Sequence, residues 1–138
     1  MAQADREALG AFYNATGGPN WKQNKIWNTD ADLPEWHGIK TNDQGRVVFL
    51  SLNSNNLQGS IPPELGNLKE LTILMLCNNE LTGPIPPQLE NLNALEKLDL
   101  GYNNLDGPIP LDLGNLAALQ ILRLSHNQLS GELLQVSG

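Results

Sequence analysis

The chain has 138 residues, enough for one domain with a modest core and too few for two comfortable ones. Fifteen acids against eight bases set the formal charge at −7, which repels phosphate backbones and anionic bilayers. No apolar run approaches the roughly 18 residues that span a bilayer, so membrane insertion is not expected, and the acidic charge argues against nucleic acid as a partner. Leucine supplies 26 residues and asparagine 17, a bias that ordinary globular composition does not produce and that points to internal repetition. One cysteine, Cys77, allows no internal disulfide, which favours a reducing compartment. The opening MAQADREALGAF lacks the basic-then-apolar pattern of an export signal; a cytoplasmic protein is the expectation, with secretion as the alternative.

Residues 1–46 are expected to form a capping module. Asp5 to Asn14 carries Leu9, Phe12 and Tyr13 at helical spacing behind an acid, and Thr16-Gly17-Gly18-Pro19 ends that helix. Trp21, Ile26, Trp27, Leu33 and Trp36 then supply bulky apolar surface in a loop-rich stretch. Burial beneath a lid accounts for these tryptophans better than a sugar-stacking platform does. Asn42-Asp43-Gln44-Gly45 reads as a hairpin turn. The sequon Asn14-Ala15-Thr16 is a triplet frequent by chance.

From Val47 the sequence repeats with a period of 24, in four copies beginning at residues 47, 71, 95 and 119, the last incomplete, so that the second module is 47–138. Each copy reads LxxLxLxxNxL, and the first three continue as GxIPxxLxNL. Leu74 and Leu76 alternate with Ile73, Met75 and Cys77, the two-residue period of a short strand with one buried face. Stacked copies make a parallel sheet about four strands wide, with leucines inward. Ile61, Leu65 and Leu68, Ile85, Leu89 and Leu92, and Ile109, Leu113 and Leu116 supply the opposite wall. Pro62, Pro86 and Pro110 forbid a long α-helix there and predict an extended stretch followed by a 3₁₀-like turn. Asn55, Asn79, Asn103 and Asn127 recur where the chain leaves each strand. A buried amide at that bend donates to a carbonyl and accepts from an N–H, so these four form a structural ladder and not a set of catalytic amides. The fold class is an α/β solenoid: a right-handed coil of leucine-rich repeats with short parallel strands on its concave face, 3₁₀ and extended segments behind, and an aromatic helical N-terminal cap.

The unit seen as LEKLDLGYNNLDGPIPLDLGNL resembles the plant-specific subclass of leucine-rich repeats, from residue 47 to about 133. That subclass is known from receptor-like kinase ectodomains, inhibitors of polygalacturonase, and repeat proteins of algae and protists such as Roco GTPases. DREALGAFYNATGGPNW with WHGI is similar to the cap that accompanies such repeats. Secreted plant members carry a cysteine two residues before the matching tryptophan and another five after it, where this chain has Pro34 and Thr41. The resemblance therefore implies a binding protein without the cap disulfide, which favours an intracellular or non-plant relative. The fourth copy places Leu134 where earlier copies have a proline, and no polar C-terminal cap follows. A fragment of a longer array is expected; the alternatives are that Leu133, Leu134 and Val136 close the end, or that the apolar end self-associates with another chain.

Strand positions between the inward leucines project onto the concave face in straight columns. One holds Phe49, Ile73, Lys97 and Ile121, and the next Ser51, Met75, Asp99 and Arg123. Asn53, Cys77, Gly101 and Ser125 follow, then Ser54, Asn78, Tyr102 and His126. Phe49, Ile73, Met75 and Ile121 are apolar where the geometry faces solvent, which marks an interface. Lys97 and Arg123 flank Asp99, where structural pairing is the first expectation and orienting an acidic or amide-bearing ligand the alternative; Tyr102 beside His126 offers a ligand corner, with a solvated His126 as the plainer reading. The expected ligand-binding residues are thus Phe49, Ile73, Met75, Lys97, Asp99, Tyr102, Ile121, Arg123 and His126.

Catalysis is not expected. Cys77 and His126 stand two strands apart, about 9 to 10 Å, too far for an activated thiol. No phosphate-binding loop, kinase signature, GxSxG turn or metal-spaced cluster occurs, so neither cofactor nor metal is expected. The irregular column Gln58, Thr82, Asp106 and Ser130 argues against an ice- or polysaccharide-binding array. The function expected is a non-catalytic module that binds a protein or peptide on its concave face within a larger signalling protein. The alternative is an inhibitor of a secreted cell-wall hydrolase.

Overall fold

The computed structural model describes residues 3–130. Helix α1 spans Gln3–Ala15 and buries Ala8, Leu9 and Phe12, the apolar stripe that its spacing predicts. A short 3₁₀ turn, Gly18–Asn20, follows it. A second, Leu33–Glu35, leads to strand β1, Ile39–Thr41, which runs antiparallel to β2, Val47–Ser51, through the Asn42–Gly45 turn. Asn42 Oδ1 accepts from the N–H groups of Gln44 and Arg46 and holds that turn. The repeats then alternate between two sheets. Strands β3 (Gln58–Ser60), β5 (Glu80–Gly83), β7 (Asn104–Pro108) and β9 (Gln128–Ser130) form one. Strands β4 (Ile73–Met75), β6 (Lys97–Asp99) and β8 (Ile121–Arg123) join β2 in the other, so its order is β1-β2-β4-β6-β8.

Two features depart from the sequence reading. The concave sheet has five strands and not four, because the cap hairpin adds β1 antiparallel to its first edge and covers it. The second sheet replaces the expected plain extended stretch: its first strand, Gln58, Gly59 and Ser60, is wholly exposed, and its later strands each turn one leucine, Leu81, Leu105 or Leu129, to the core. The 3₁₀ turns Pro63–Asn67, Pro87–Asn91 and Leu111–Asn115 follow it at the expected places. Leu65, Leu68, Leu89, Leu92 and Leu113 on that wall are fully buried, and one apolar core runs continuously from Ala8 to Leu119.

The asparagine ladder goes further than a turn-filling role. Asn79 Nδ2 donates to Leu76 O and Cys77 O in its own coil and to Leu52 O in the coil before, at 3.0 to 3.1 Å. Its Oδ1 accepts from the N–H groups of Asn55 and Leu57, again one coil back. Asn103 repeats this, donating to Leu76 O, Leu100 O and Gly101 O and accepting from Leu81 N–H. Asn127 does so with Leu100 O, Leu124 O, Ser125 O and Leu105 N–H. Each amide therefore cross-links two coils. Asn55 has no coil before it, and Gln23 of the cap replaces one: Asn55 accepts from Gln23 N–H at 2.6 Å and donates to Gln23 O at 2.9 Å.

The cap is fastened elsewhere too. Trp21, Trp27 and Trp36 are buried, with ring centroids 4.8 and 5.0 Å apart in sequence, and their indole N–H groups donate to Thr16 O, His37 O and Ala31 O. Thr16, the third residue of the sequon, is buried and donates to Phe12 O, so the helix end accounts for its hydroxyl. Asp5 does more than open a helix. It is buried and accepts from Arg46 Nε and Nη2 at 3.0 and 3.1 Å and from Val47 N–H at 2.9 Å, so a paired carboxylate ties α1 to the start of β2. That hydrogen bond also raises the Arg46 guanidinium above its already high range. Gly59 (φ 81) lies so close to α1 that a Cβ would meet Ala15 O at 2.4 Å. Leu133, Leu134 and Val136, offered above as closing the end of the array, lie outside the described residues, as does the end expected to self-associate.

Pro34 and Thr41, where secreted relatives of the resembled kind carry cysteines, both line one cleft of about 270 Å³ together with Arg6, Asp32, Leu33 and Gly45. The double substitution Pro34→Cys, Thr41→Cys is expected to form a cross-link on oxidation. It should raise stability by about 2 to 3 kcal/mol for a loop this short, measured as the difference in unfolding midpoint with and without reductant. An unchanged midpoint would mean that the two positions are not apposed. Asn103→Leu leaves carbonyls in two coils unsatisfied and is expected to cost about 2 to 4 kcal/mol. Exposed Asp106→Ala should stay within about 0.5 kcal/mol. Equal midpoints for the two variants would remove the ladder from the account of stability.

Candidate functional site

Parallel pairing without slippage puts the outward residues in the rows that the 24-residue period implies. Phe49 pairs with Ile73, Ile73 with Lys97, and Lys97 with Ile121. Ser51, Met75, Asp99 and Arg123 form the neighbouring row. Leu50, Leu74 and Leu98, between these rows, are fully buried beneath the sheet, and Leu122 is partly so. Phe49, Ile73, Met75, Lys97 and Ile121 are all half-buried, so apolar side chains do stand on the displayed face.

Lys40 belongs to this face and escaped the sequence reading because it lies outside the repeats. It pairs across the antiparallel edge with Phe49, and its Nζ sits 4.6 Å from the Phe49 ring centroid. Counting back from the hairpin turn would have found it, since Ile39 is buried and the next residue must point the other way.

Asp99 corrects an expectation. It occupies an outward row, yet it is only 6 % exposed. Its Oδ1 accepts from Gly101 N–H at 3.1 Å, and Arg123 Nη1 lies 3.7 Å from Oδ2. Gly101 makes room for this: a Cβ there would approach Asp99 Oδ1 to 3.3 Å. Among the described residues the ion pair of Asp99 is with Arg123 and not with Lys97. Asp99 thus positions Arg123 and is not itself presented to a ligand. The Arg123 side chain is 58 % exposed.

Ser54, Asn78, Tyr102 and His126 line the next edge, all in the left-handed region with φ between 55 and 61. Asn tolerates that backbone and histidine enters it more readily than most residues, whereas tyrosine reaches it only where surroundings impose it; the ladder asparagine that follows each one supplies the constraint. Asn78 Nδ2 donates to Ser54 Oγ at 2.9 Å. The Tyr102 and His126 rings stack with centroids 4.1 Å apart at 13°. Tyr102 is 57 % exposed, so the anticipated corner exists as a flat aromatic pair beside the apolar row.

Cys77 lies half-buried at the end of β4, its N–H held by Asn53 Oδ1. Burial and then the Asp99 carboxylate push its thiol above the ordinary cysteine range, the opposite of what a nucleophile needs. Among the described residues no group of three or more histidine, cysteine or acidic side chains converges to hold a metal, and no helix is long and apolar enough to cross a membrane.

Residues 46–68 and 69–129 match family profiles described as leucine rich repeat. A probable leucine-rich repeat receptor-like protein kinase of Arabidopsis thaliana is 40% identical over 73 residues, 51% of this chain; the chain spans 7% of that kinase. The solved complex PEPR1-AtPEP1 superposes with a TM-score of 0.84 at 30% identity, over 97% of this chain and 19% of the other. The leucine-rich repeat ectodomain of the receptor kinase SOBIR1 from Arabidopsis thaliana superposes with a TM-score of 0.76 at 31% identity, over 92% of this chain and 68% of that ectodomain.

Because its thiolate forms only above the usual pH, Cys77 is expected to react with iodoacetamide at pH 7.5 several-fold more slowly than free cysteine. The rate should rise as pH climbs past the ordinary thiol range. Asp99→Asn removes one of the two causes and should speed the reaction. A rate equal to that of free cysteine in the folded chain would contradict this environment.

Proposed function

The chain belongs to the leucine-rich repeat family in its plant-type, 24-residue form, and from that premise we propose that it is a non-catalytic docking module whose concave face holds a protein or peptide partner. The observation that carries this reading is the row of half-exposed Phe49, Ile73 and Ile121 with Met75 alongside, set in rigid register and bordered by Lys40, Lys97 and Arg123. Short paired strands hold such contacts without an ordering cost at the moment of binding. The presence of AtPEP1 with PEPR1 in one solved neighbour supports a bound partner on this architecture. Membership of a larger signalling protein is supported by the receptor-like kinase relative, of which this chain spans only a small part. Burial and the Asp99 carboxylate, which push the Cys77 thiol up, support a binding role over a catalytic one. The ectodomain character of the SOBIR1 neighbour supports the secreted alternative over a cytoplasmic setting.

The test is capture of partners from extract by the wild type and by the triple variant Phe49→Asp, Met75→Asp, Arg123→Glu, with folding of the variant checked by circular dichroism. The wild type should enrich a partner that the variant recovers at least tenfold less. Equal recovery by a folded variant would reject the concave face as the docking surface.

A further inference from the structure

Where the cap meets the repeats, Lys22, Ser54, Asn56, Asn78, Asn79 and Glu80 line a polar cleft of about 200 Å³. Its walls are fixed. Lys22 N–H donates to Asn55 O, Glu80 N–H to Leu57 O and Asn56 Nδ2 to Asn20 O, while Asn79 is held by the ladder. Polar groups tied down in this way lose little freedom when they bind.

Hydrogen-bonding capacity is left over. Asn78 Nδ2 is spent on Ser54 Oγ at 2.9 Å, which leaves the Ser54 O–H as a donor and Asn78 Oδ1 as an acceptor among the described residues. Lys22 adds an ammonium donor and Glu80 a carboxylate acceptor, and both residues are exposed. The ion pairs found among the described residues, Asp5 with Arg46 and Asp99 with Arg123, consume neither of them. One positive and one negative charge on the same cleft cancel, so it selects no ligand by net charge. Donors and acceptors mixed around a neutral cleft match adjacent hydroxyl groups, each of which donates one hydrogen bond and accepts others.

An aromatic ring comes next in the same row. Asn78 N–H donates to Gly101 O and Asn79 N–H to Tyr102 O, so Tyr102 stands one coil, about 4.8 Å, beyond Asn78. Its ring stacks on His126 and is still 57 % exposed. A pyranose has hydroxyls at its rim and C–H bonds on its faces, so it takes both kinds of partner, and tyrosine offers an apolar ring with a polar tip. We propose that this junction binds a short neutral saccharide, one ring in the cleft on Lys22, Ser54, Asn78 and Glu80 and the next against Tyr102. The site is a discrete one of two rings, not the regular array that the column Gln58, Thr82, Asp106 and Ser130 argues against. It lies apart from Phe49, Ile73 and Met75 and does not rest on the docking reading above.

Saturation-transfer difference NMR on the folded chain, with cellotetraose, xylotetraose and mannotetraose as probes and tetragalacturonate as the charged comparator, tests this. At least one neutral tetrasaccharide should bind with a Kd of about 1 mM or tighter. Asn78→Gly with Glu80→Gln should weaken that binding about fivefold or more, and Tyr102→Asn by a similar factor. Both replacements keep residues suited to the left-handed backbone at positions 78 and 102, and circular dichroism checks their folding. Phe49→Asp with Met75→Asp should leave saccharide binding unchanged, which separates this site from the docking surface. Four outcomes would overturn the proposal: no neutral saccharide bound at about 10 mM, tetragalacturonate bound alone, full affinity in either folded cleft variant, or binding lost in the folded Phe49→Asp, Met75→Asp variant.

Discussion

Everything displayed by this protein depends on an amide that belongs to two coils at once. Asn79, Asn103 and Asn127 each donate to carbonyls of their own bend and to one in the coil before, and each accepts from an N–H of that earlier coil. A slip of one residue would leave several buried backbone groups without partners, a cost of about 1 to 3 kcal/mol for each. The coils are therefore locked in a 24-residue register, and the register in turn lines up Phe49 with Ile73, Lys97 and Ile121. The same constraint holds Tyr102 and His126 in the left-handed backbone region, which tyrosine does not favour, and so brings their rings together.

The cap is best understood as a replacement for an absent coil. Gln23 presents to Asn55 the backbone groups that a preceding repeat would otherwise present, and buried Asp5 binds both the Arg46 guanidinium and the Val47 N–H where the first repeat begins. Closing the edge of the sheet with β1 also extends the displayed face by one strand and puts Lys40 over Phe49. Capping and recognition thus share a hairpin, which explains why a residue outside the repeats borders the apolar row.

Much of this was legible from spacing. The inward leucines, the 3₁₀ turns after each proline, the aromatic cap and the ladder asparagines follow from periodicity, since a repeated unit can bury its apolar side only against its own copies. The outward rows followed as well, because alternation in a strand is a local property. The second sheet was hidden for a different reason: Gln58–Ser60 is wholly exposed, and in the later strands a single buried leucine, such as Leu81 or Leu105, gives no alternation that would mark a strand. The concealment of Asp99 was invisible for another reason: it depends on a glycine two residues on and on an arginine 24 residues on, each of which reads as unremarkable alone.

Local pattern, then, settled the fold class and which side chains point which way, because strand alternation and repeat length act over a few residues and recur four times. Proximity across coils was decided only when the chain closed on itself. Asp5 found Arg46 and Lys40 found Phe49 through packing between segments that no spacing rule relates, and Asp99 was covered by contacts to Gly101 in its own coil and Arg123 one period on. Whether an outward residue is available to a ligand depends on which neighbour covers it, and that neighbour is supplied by the tertiary arrangement.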